Sequence, residues 1–374
     1  MRMLFASVGA YGHLIPLLPL ALAARDAGHD VSFATDKRFH SALHDAGLAA
    51  VAAGISAREA IGMVYAEARG RQVEAAPRAF GDILARRLAA DIGPVLAARK
   101  HDLVVYEALS PGAAIAAALA DVPAVCHGIG RPEGGPMWQA MSDTWIATAE
   151  EFGVHVPTVD APYFGNQYLD ICPPALRPAQ RTLPAQRLAL RPTEWHQPAA
   201  LPPIVAGNEP DRPLVYLTFG TAFASPDLLR AAIDGLSRLP VTVLVAAGPM
   251  VDSDAIGDVP ANVVIERWVP QSDLLPHVDL VVSHGGSGTM LGALANGLPH
   301  LMVPQGADQF GNAAAVIGIG AGRQILPADL TPAAVTEQAK ALLSDEAARI
   351  RAYEVSQEIA GMPSAQETVE RLSR

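Results

Sequence analysis

Cysteine is scarce in this 374-residue chain. The two present, Cys126 and Cys172, cannot build a disulfide framework, which excludes the small stapled secreted folds and makes a reducing cytoplasm the expected compartment. Charged residues amount to only 17% and sum to −11, against 50% apolar residues. A chain so apolar folds into globular domains, and its acidic excess argues against a nucleic-acid partner, which would favour a basic face. No uninterrupted apolar run reaches the roughly 18 residues of a membrane span. The apolar stretch after Arg2 has the look of a secretory leader, but Gly9, Gly12, His13 and Pro16 interrupt it and fit a strand–turn–helix better.

What is present is an alternation of short apolar runs with helical segments. Residues 3–8 read as a buried strand, 9–13 as a turn, 15–27 as a helix ended by Gly28, 30–34 as a strand and 38–46 as a helix closed by Gly47. Residues 55–98 are mostly helical in composition; 103–106 and 122–126 read as strands around a helix at 111–120. The pattern weakens over 127–162, and 177–192 has repeated proline and no period. Residues 198–213, dense in Pro, Ala and Gly, are the most linker-like segment. A second alternation then opens: strand 214–219, helix 227–239, strands 241–246 and 262–266, helix 331–343 and a long helix from Ala347. Successive βα units predict parallel sheets. The expectation is α/β, with two Rossmann-like domains over 1–200 and 214–374, a linker at 201–213, and a cleft at the carboxyl ends of the strands.

Residues 267–312 carry the most chemistry. Arg267-Trp268-Val269-Pro270-Gln271 is followed by the apolar run 280–283, then by His284-Gly285-Gly286-Ser287-Gly288-Thr289, a helical segment to Ala295, and Asn296-Gly297, a C-cap signal. A strand feeding a glycine turn that opens a helix presents free N–H groups and about half a positive charge to an anion. His284 at the strand end is placed to add a charge-assisted hydrogen bond to the same phosphate. Strand 299–303 ends in Pro304-Gln305-Gly306-Ala307-Asp308-Gln309, where a carboxylate and an amide suit sugar hydroxyls. Three other glycine-turn motifs each miss a required residue. A dinucleotide fingerprint from Gly286 through Gly288 needs glycine at Leu291, a nucleophile elbow on Ser287 needs glycine at Thr289, and a P-loop needs a lysine.

This array resembles the donor-binding signature of nucleotide-sugar-dependent glycosyltransferases of the GT-B fold, in particular the actinobacterial enzymes that attach deoxysugars to natural products. The resemblance is dense over 267–312, recurs near the N-terminus and is loose over 55–201. It implies that Trp268 stacks on the pyrimidine, with Val269 meeting its edge through backbone groups and Gln271 part of the same donor site. It implies that His284 and the turn Gly286-Ser287-Gly288-Thr289 hold the diphosphate, that Asp308 and Gln309 hold the sugar, and that a last helix at about 356–374 crosses back onto the first domain. In UDP-sugar-using plant-type members, the position eight past the signature histidine is commonly Glu, which binds the ribose hydroxyls. Gly292 stands there, which favours a dTDP-sugar as co-substrate.

Glycosyl transfer with inversion needs a base at the acceptor hydroxyl and charge stabilisation at the departing diphosphate. His13, after Gly12 in the first turn, is the candidate base; helix capping is its structural alternative. The run Gly12-His13-Leu14-Ile15-Pro16 matches the family's catalytic histidine segment. Glu107, at the end of the 103–106 strand, is placed to hold the imidazole, where the family usually has the shorter Asp. Thr221, in the turn after 214–219, is a further candidate to donate a hydroxyl to a phosphate, with a local Ser/Thr turn as its structural alternative. Asp252-Ser253-Asp254 has the spacing of a metal-holding pair but sits in a polar segment without a ligand cluster, so neither metal nor cofactor is expected. Met63, Tyr65, Phe80, Met137, Trp138 and Trp145 are candidates for an apolar acceptor pocket. Self-association as a homodimer is compatible with the chain. Two rivals are a nucleotide-sugar epimerase, which would change a donor sugar without any acceptor, and a non-catalytic nucleotide-sugar-binding partner protein.

Overall fold

The computed structural model of the protein describes residues 1–69, 74–132, 134–157, 163–178, 186–195, 199–221, 225–249, 251 and 256–374. The chain forms two compact units, one of Met1–Cys172, Ala179–Arg191 and Pro363–Arg374, the other of Pro173–Pro178 and Pro192–Met362. No described helix is long and apolar enough to cross a membrane.

The first unit is built on strands β1 (Arg2–Ala6), β2 (Asp30–Thr35), β3 (Ala49–Ala52), β4 (Leu103–Glu107), β5 (Ala124–His127), β6 (Gln167–Asp170) and β7 (Arg187–Ala189). All pair in parallel, in the order β3-β2-β1-β4-β5-β6-β7. The second unit has β8 (Leu214–Thr218), β9 (Thr242–Ala246), β10 (Val263–Glu266), β11 (Leu280–Ser283), β12 (His300–Met302) and β13 (Gly322–Gln324), again parallel, in the order β10-β9-β8-β11-β12-β13. The central strands are apolar on both faces because helices cover both: Leu4 to Ala6, Val104 to Tyr106 and Val215 to Leu217 are all nearly or wholly buried. In each sheet the order reverses once, between β1 and β4 and between β8 and β11, and an open α/β sheet binds its ligands at the carboxyl ends beside such a reversal.

Helix Leu84–Ala98 packs on helix Pro111–Leu119, and Gly112 makes their close approach possible. A Cβ at that position would overlap the carbonyl oxygen of Ala85 and lie 2.8 Å from the Cβ of Leu88, and a backbone carbonyl cannot swing aside. Gly112→Ala is therefore expected to destabilise the first unit by about 1–3 kcal/mol, the ordinary cost of overpacking. Urea unfolding checks this; an unshifted midpoint would mean that the two helices separate without cost.

Where local pattern and fold differ, the reasons are physical. The helix expected over 15–27 is segmented, as Tyr11–Leu14, a tight turn Ile15–Leu17 and Leu18–Asp26, because Pro16 and Pro19 each open a new piece. His13 thus stands on a one-turn helix rather than in a loop. The weakly patterned 127–162 region holds a full helix, Pro136–Glu151, started by proline after Gly135 at φ +89°. The strands β3, β6, β7 and β13 carry no apolar alternation; β6 and β7 instead share the ion pair of Asp170 with Arg187 at 2.8 Å. The linker-like segment includes the short helix Pro203–Ala206, and Leu201, Ile204 and Val205 pack on the second unit's core. The long helix expected from Ala347 ends at Ala360, where Gly361 and Pro363 break it; Ser364 and Glu367 then form a capping box for helix Ala365–Leu372.

Candidate active site

In the first unit, β1 and β4 are neighbours at the reversal of strand order, which brings the turn after β1 beside the end of β4. The Nδ1 of His13 lies 3.2 Å from Oε1 of Glu107. The Glu107 side chain is wholly buried, and it also accepts from the backbone N–H of Val8 at 3.3 Å, that of Leu109 at 2.6 Å and the hydroxyl of Ser110 at 2.7 Å. Burial works to raise the Glu107 carboxyl, but the charge and hydrogen bond of His13, with those of Ser110 and Leu109, outweigh it and hold the group below its ordinary value. The longer Glu therefore reaches the imidazole. An ionised carboxylate only accepts, so a His13 hydrogen sits on Nδ1, and when the ring is neutral its basic lone pair is on Nε2.

Phe80 stacks on His13, ring centroids 5.9 Å apart and planes 22° from parallel. It comes from a π-helical turn, Ala79–Ile83, an insertion common at functional sites. His127 on β5, paired in register with Glu107, is pushed down to about 4 by burial and is neutral near pH 7. Of the other acceptor-pocket candidates, Met63, Tyr65 and Met137 are exposed, whereas Trp145 is fully buried, edge-on to Trp138, and belongs to the core.

In the second unit, β8 and β11 flank the reversal, and the turns after them meet. Gly220, at φ +75°, and Gly286 both face the His284 imidazole, where a Cβ on either would come within 2.5 Å of the ring. Burial lowers the His284 pKa to about 4, against the opposing influence of Asp308 and the Thr218 backbone. That shift favours the neutral imidazole at pH 7, where the sequence offered a cation. Its Nδ1 is buried with no hydrogen-bond partner among the described residues.

Helix Ser287–Ala295 begins two residues earlier than its composition indicates, with Gly286 as a cap that supplies no side chain, so the amides of Ser287, Gly288 and Thr289 point outward uncapped. The Ser287 hydroxyl donates to Oδ2 of Asp308 at 2.6 Å, and Nδ2 of Asn312 reaches the same oxygen at 2.9 Å and the carbonyl of Gly285 at 3.0 Å. Asp308 is thereby locked to the glycine turn. Gln309 is buried, and its Oε1 accepts from the backbone N–H groups of Gln305 and Gly306, so its carbonyl end holds its own loop. Trp268 keeps 47% of its surface exposed after β10, while Val269 is buried. Gln271 accepts from the Tyr216 hydroxyl at 3.2 Å and that of Thr289 at 3.3 Å. Thr221 is half-buried after β8. The Asp252-Ser253-Asp254 run lies outside the described residues.

Sequence reasoning missed three polar groups here. Ser110 follows Glu107 by three residues, a spacing that pointed to nothing by itself. Asn312 sits one turn past Asp308 on helix Gln309–Gly318, and this i, i+4 relation was a usable signal. Glu194 donates no motif at all, yet its carboxyl accepts from Nε2 of Gln271 at 2.6 Å.

Residues 231–374 match the erythromycin biosynthesis protein CIII-like C-terminal domain. The chain is 31% identical to an L-demethylnoviosyl transferase of Streptomyces niveus, over 86% of this chain and 84% of the relative. It is 30% identical to the elloramycin glycosyltransferase ElmGT of Streptomyces olivaceus over 100% of this chain and 97% of that one. In structure it superposes at TM-score 0.80 on the glycosyltransferase SnogD from Streptomyces nogalater, at 26% identity and covering 100% and 98% of the two chains. The fit to the glycosyltransferase VinC in complex with dTDP is equal, TM-score 0.80 at 25% identity over 100% and 99%. The doubly wound pair of parallel sheets, the glycine turn around His284 and these relationships together make the chain a member of the actinobacterial natural-product glycosyltransferases of the GT-B fold.

Proposed function

We propose that the protein is an inverting, metal-independent glycosyltransferase moving a deoxysugar from a dTDP-sugar to a nucleophilic group of an apolar natural-product aglycone. The observation that carries this reading is the His13 imidazole, held at Nδ1 by a buried carboxylate, an arrangement that orients a base and stabilises the imidazolium it becomes. Nε2 of His13 takes the acceptor's proton. The acceptor oxygen forms its bond to the anomeric carbon from the face opposite the diphosphate, and the bond to the diphosphate breaks with its electron pair going to the leaving oxygen. Inversion follows from that geometry.

The leaving charge is met by the outward amides of Ser287 to Thr289, by the positive end of their helix and by a neutral hydrogen bond from His284, with Thr221 as a further donor. These groups supply the stabilisation a divalent metal would otherwise give. Trp268, 47% exposed after β10, is the ring on which a pyrimidine would stack, and Asp308 offers a carboxylate for the sugar hydroxyls. Exposed Met63, Tyr65 and Met137 in the first unit suit an apolar acceptor.

Nucleotide preference is read directly by thermal shift, because a ligand that binds only the folded state raises its melting temperature in proportion to RT ln(1 + [L]/Kd). dTDP is expected to raise the midpoint further than UDP at equal concentration. The reverse order would replace the thymidine donor with a uridine one.

A further inference from the structure

Glu194 lies in the irregular segment that opens the second unit, and its carboxyl reaches into the nucleotide half of the site. Its Oε1 accepts from Gln271 at 2.6 Å, and through Gln271 it joins the hydroxyls of Tyr216 and Thr289. A Cβ added at Gly292 would overlap that same oxygen. The side chain missing from helix Ser287–Ala295 at this point is thus replaced in space by a carboxyl from a distant part of the chain. Burial pushes this carboxyl up to about 7, against the Gln271 hydrogen bond, and no basic side chain among the described residues pairs with it. Holding an unpaired acid in such a place costs stability. A ligand that donates a hydroxyl would offset that cost.

We propose that Glu194 is a specificity-determining residue of the nucleotide site, its carboxyl accepting a hydrogen bond from the furanose 3′-hydroxyl of a bound nucleoside diphosphate beside Gln271. The proposal rests on the dTDP reading above, since a 2′-deoxy furanose carries its one secondary ring hydroxyl at the 3′ position. It also removes Gly292 as a ground for preferring dTDP, because that glycine makes room for a carboxyl instead of leaving the furanose without one; the thermal-shift comparison with UDP decides the nucleotide.

The test is calorimetric titration of the full chain with dTDP and with its 3′-deoxy analogue. In the unmodified protein the analogue is expected to bind more weakly than dTDP. Glu194→Ala is expected to weaken dTDP about tenfold, the worth of one hydrogen bond, and to leave the analogue unchanged. Glu194→Gln, which keeps an acceptor oxygen, should retain most of the dTDP affinity. Gly292→Ala should reproduce the Glu194→Ala loss by expelling the carboxyl, and combining the two should add nothing. Equal losses for both ligands would reduce Glu194 to a structural prop, and no loss for either would remove it from the site; both outcomes overturn the proposal while leaving the nucleotide site intact. Failure of the unmodified protein to bind dTDP would overturn the donor reading itself and the proposal with it.

Discussion

His13→Ala is expected to lower turnover by about 10²–10⁴-fold, the range a positioned base contributes, while dTDP affinity stays at the unmodified value. The two effects separate because the imidazole belongs to the first unit, while the residues assigned to the nucleotide all belong to the second. The fold should tolerate the change. Glu107 loses one partner but keeps the donors of Val8, Leu109 and Ser110, so its buried charge remains satisfied. Steady-state kinetics with a competent acceptor, paired with dTDP calorimetry, reads both quantities. Turnover that survives the substitution would take His13 out of the reaction, and loss of dTDP binding would show that it serves the donor.

The second large effect is acid lability. His127 and His284 are pushed down to about 4 and His300 to about 3, each chiefly by burial. Unfolded, each returns to 6.5, so the unfolded chain binds more protons than the folded one as pH falls below that value. The stability these groups contribute is complete above pH 6.5 and is lost progressively toward their folded values. Each proton is worth about 1.4 kcal/mol per pH unit. The second unit holds both His284 and His300, so between pH 8 and pH 5 it should lose on the order of 4 kcal/mol, a large share of the roughly 5–15 kcal/mol of a folded domain. Glu107 shifts the other way: its contribution is complete above 4.5 and is lost only below it. Urea unfolding at pH 8, 6 and 5 should show midpoints falling steeply. A flat series would mean that these histidines are protonated in the folded state too.

The central strands were legible because a strand buried on both faces must be a continuous apolar run, and residues 3–6, 103–106, 214–218 and 280–283 have no other reading. Within the 284–288 turn the glycines have particular reasons: Gly286 crowds the His284 ring too closely for any Cβ, and Gly285 takes φ +83°. Burial was not legible. His284 in sequence offers a cation, and only its place between Gly220 and Gly286 makes it neutral. Gln309 in sequence offers an amide to a sugar, and only its tight loop turns the carbonyl inward. Glu194 was out of reach altogether, because its contact with Gln271 spans 77 residues and starts from a proline-rich stretch with no period to anchor it.

The order in which the first unit is written along the chain has a consequence for synthesis. Helix Ala365–Leu372 packs on helix Leu18–Asp26, and all of Pro192–Met362 is translated between them. On the ribosome, the second unit can therefore close around its own sheet while Leu18–Asp26 still waits for its cover. A nascent chain stalled before Pro363 would expose that apolar face, making the first unit, although started first, the last to finish and the one most in need of a chaperone.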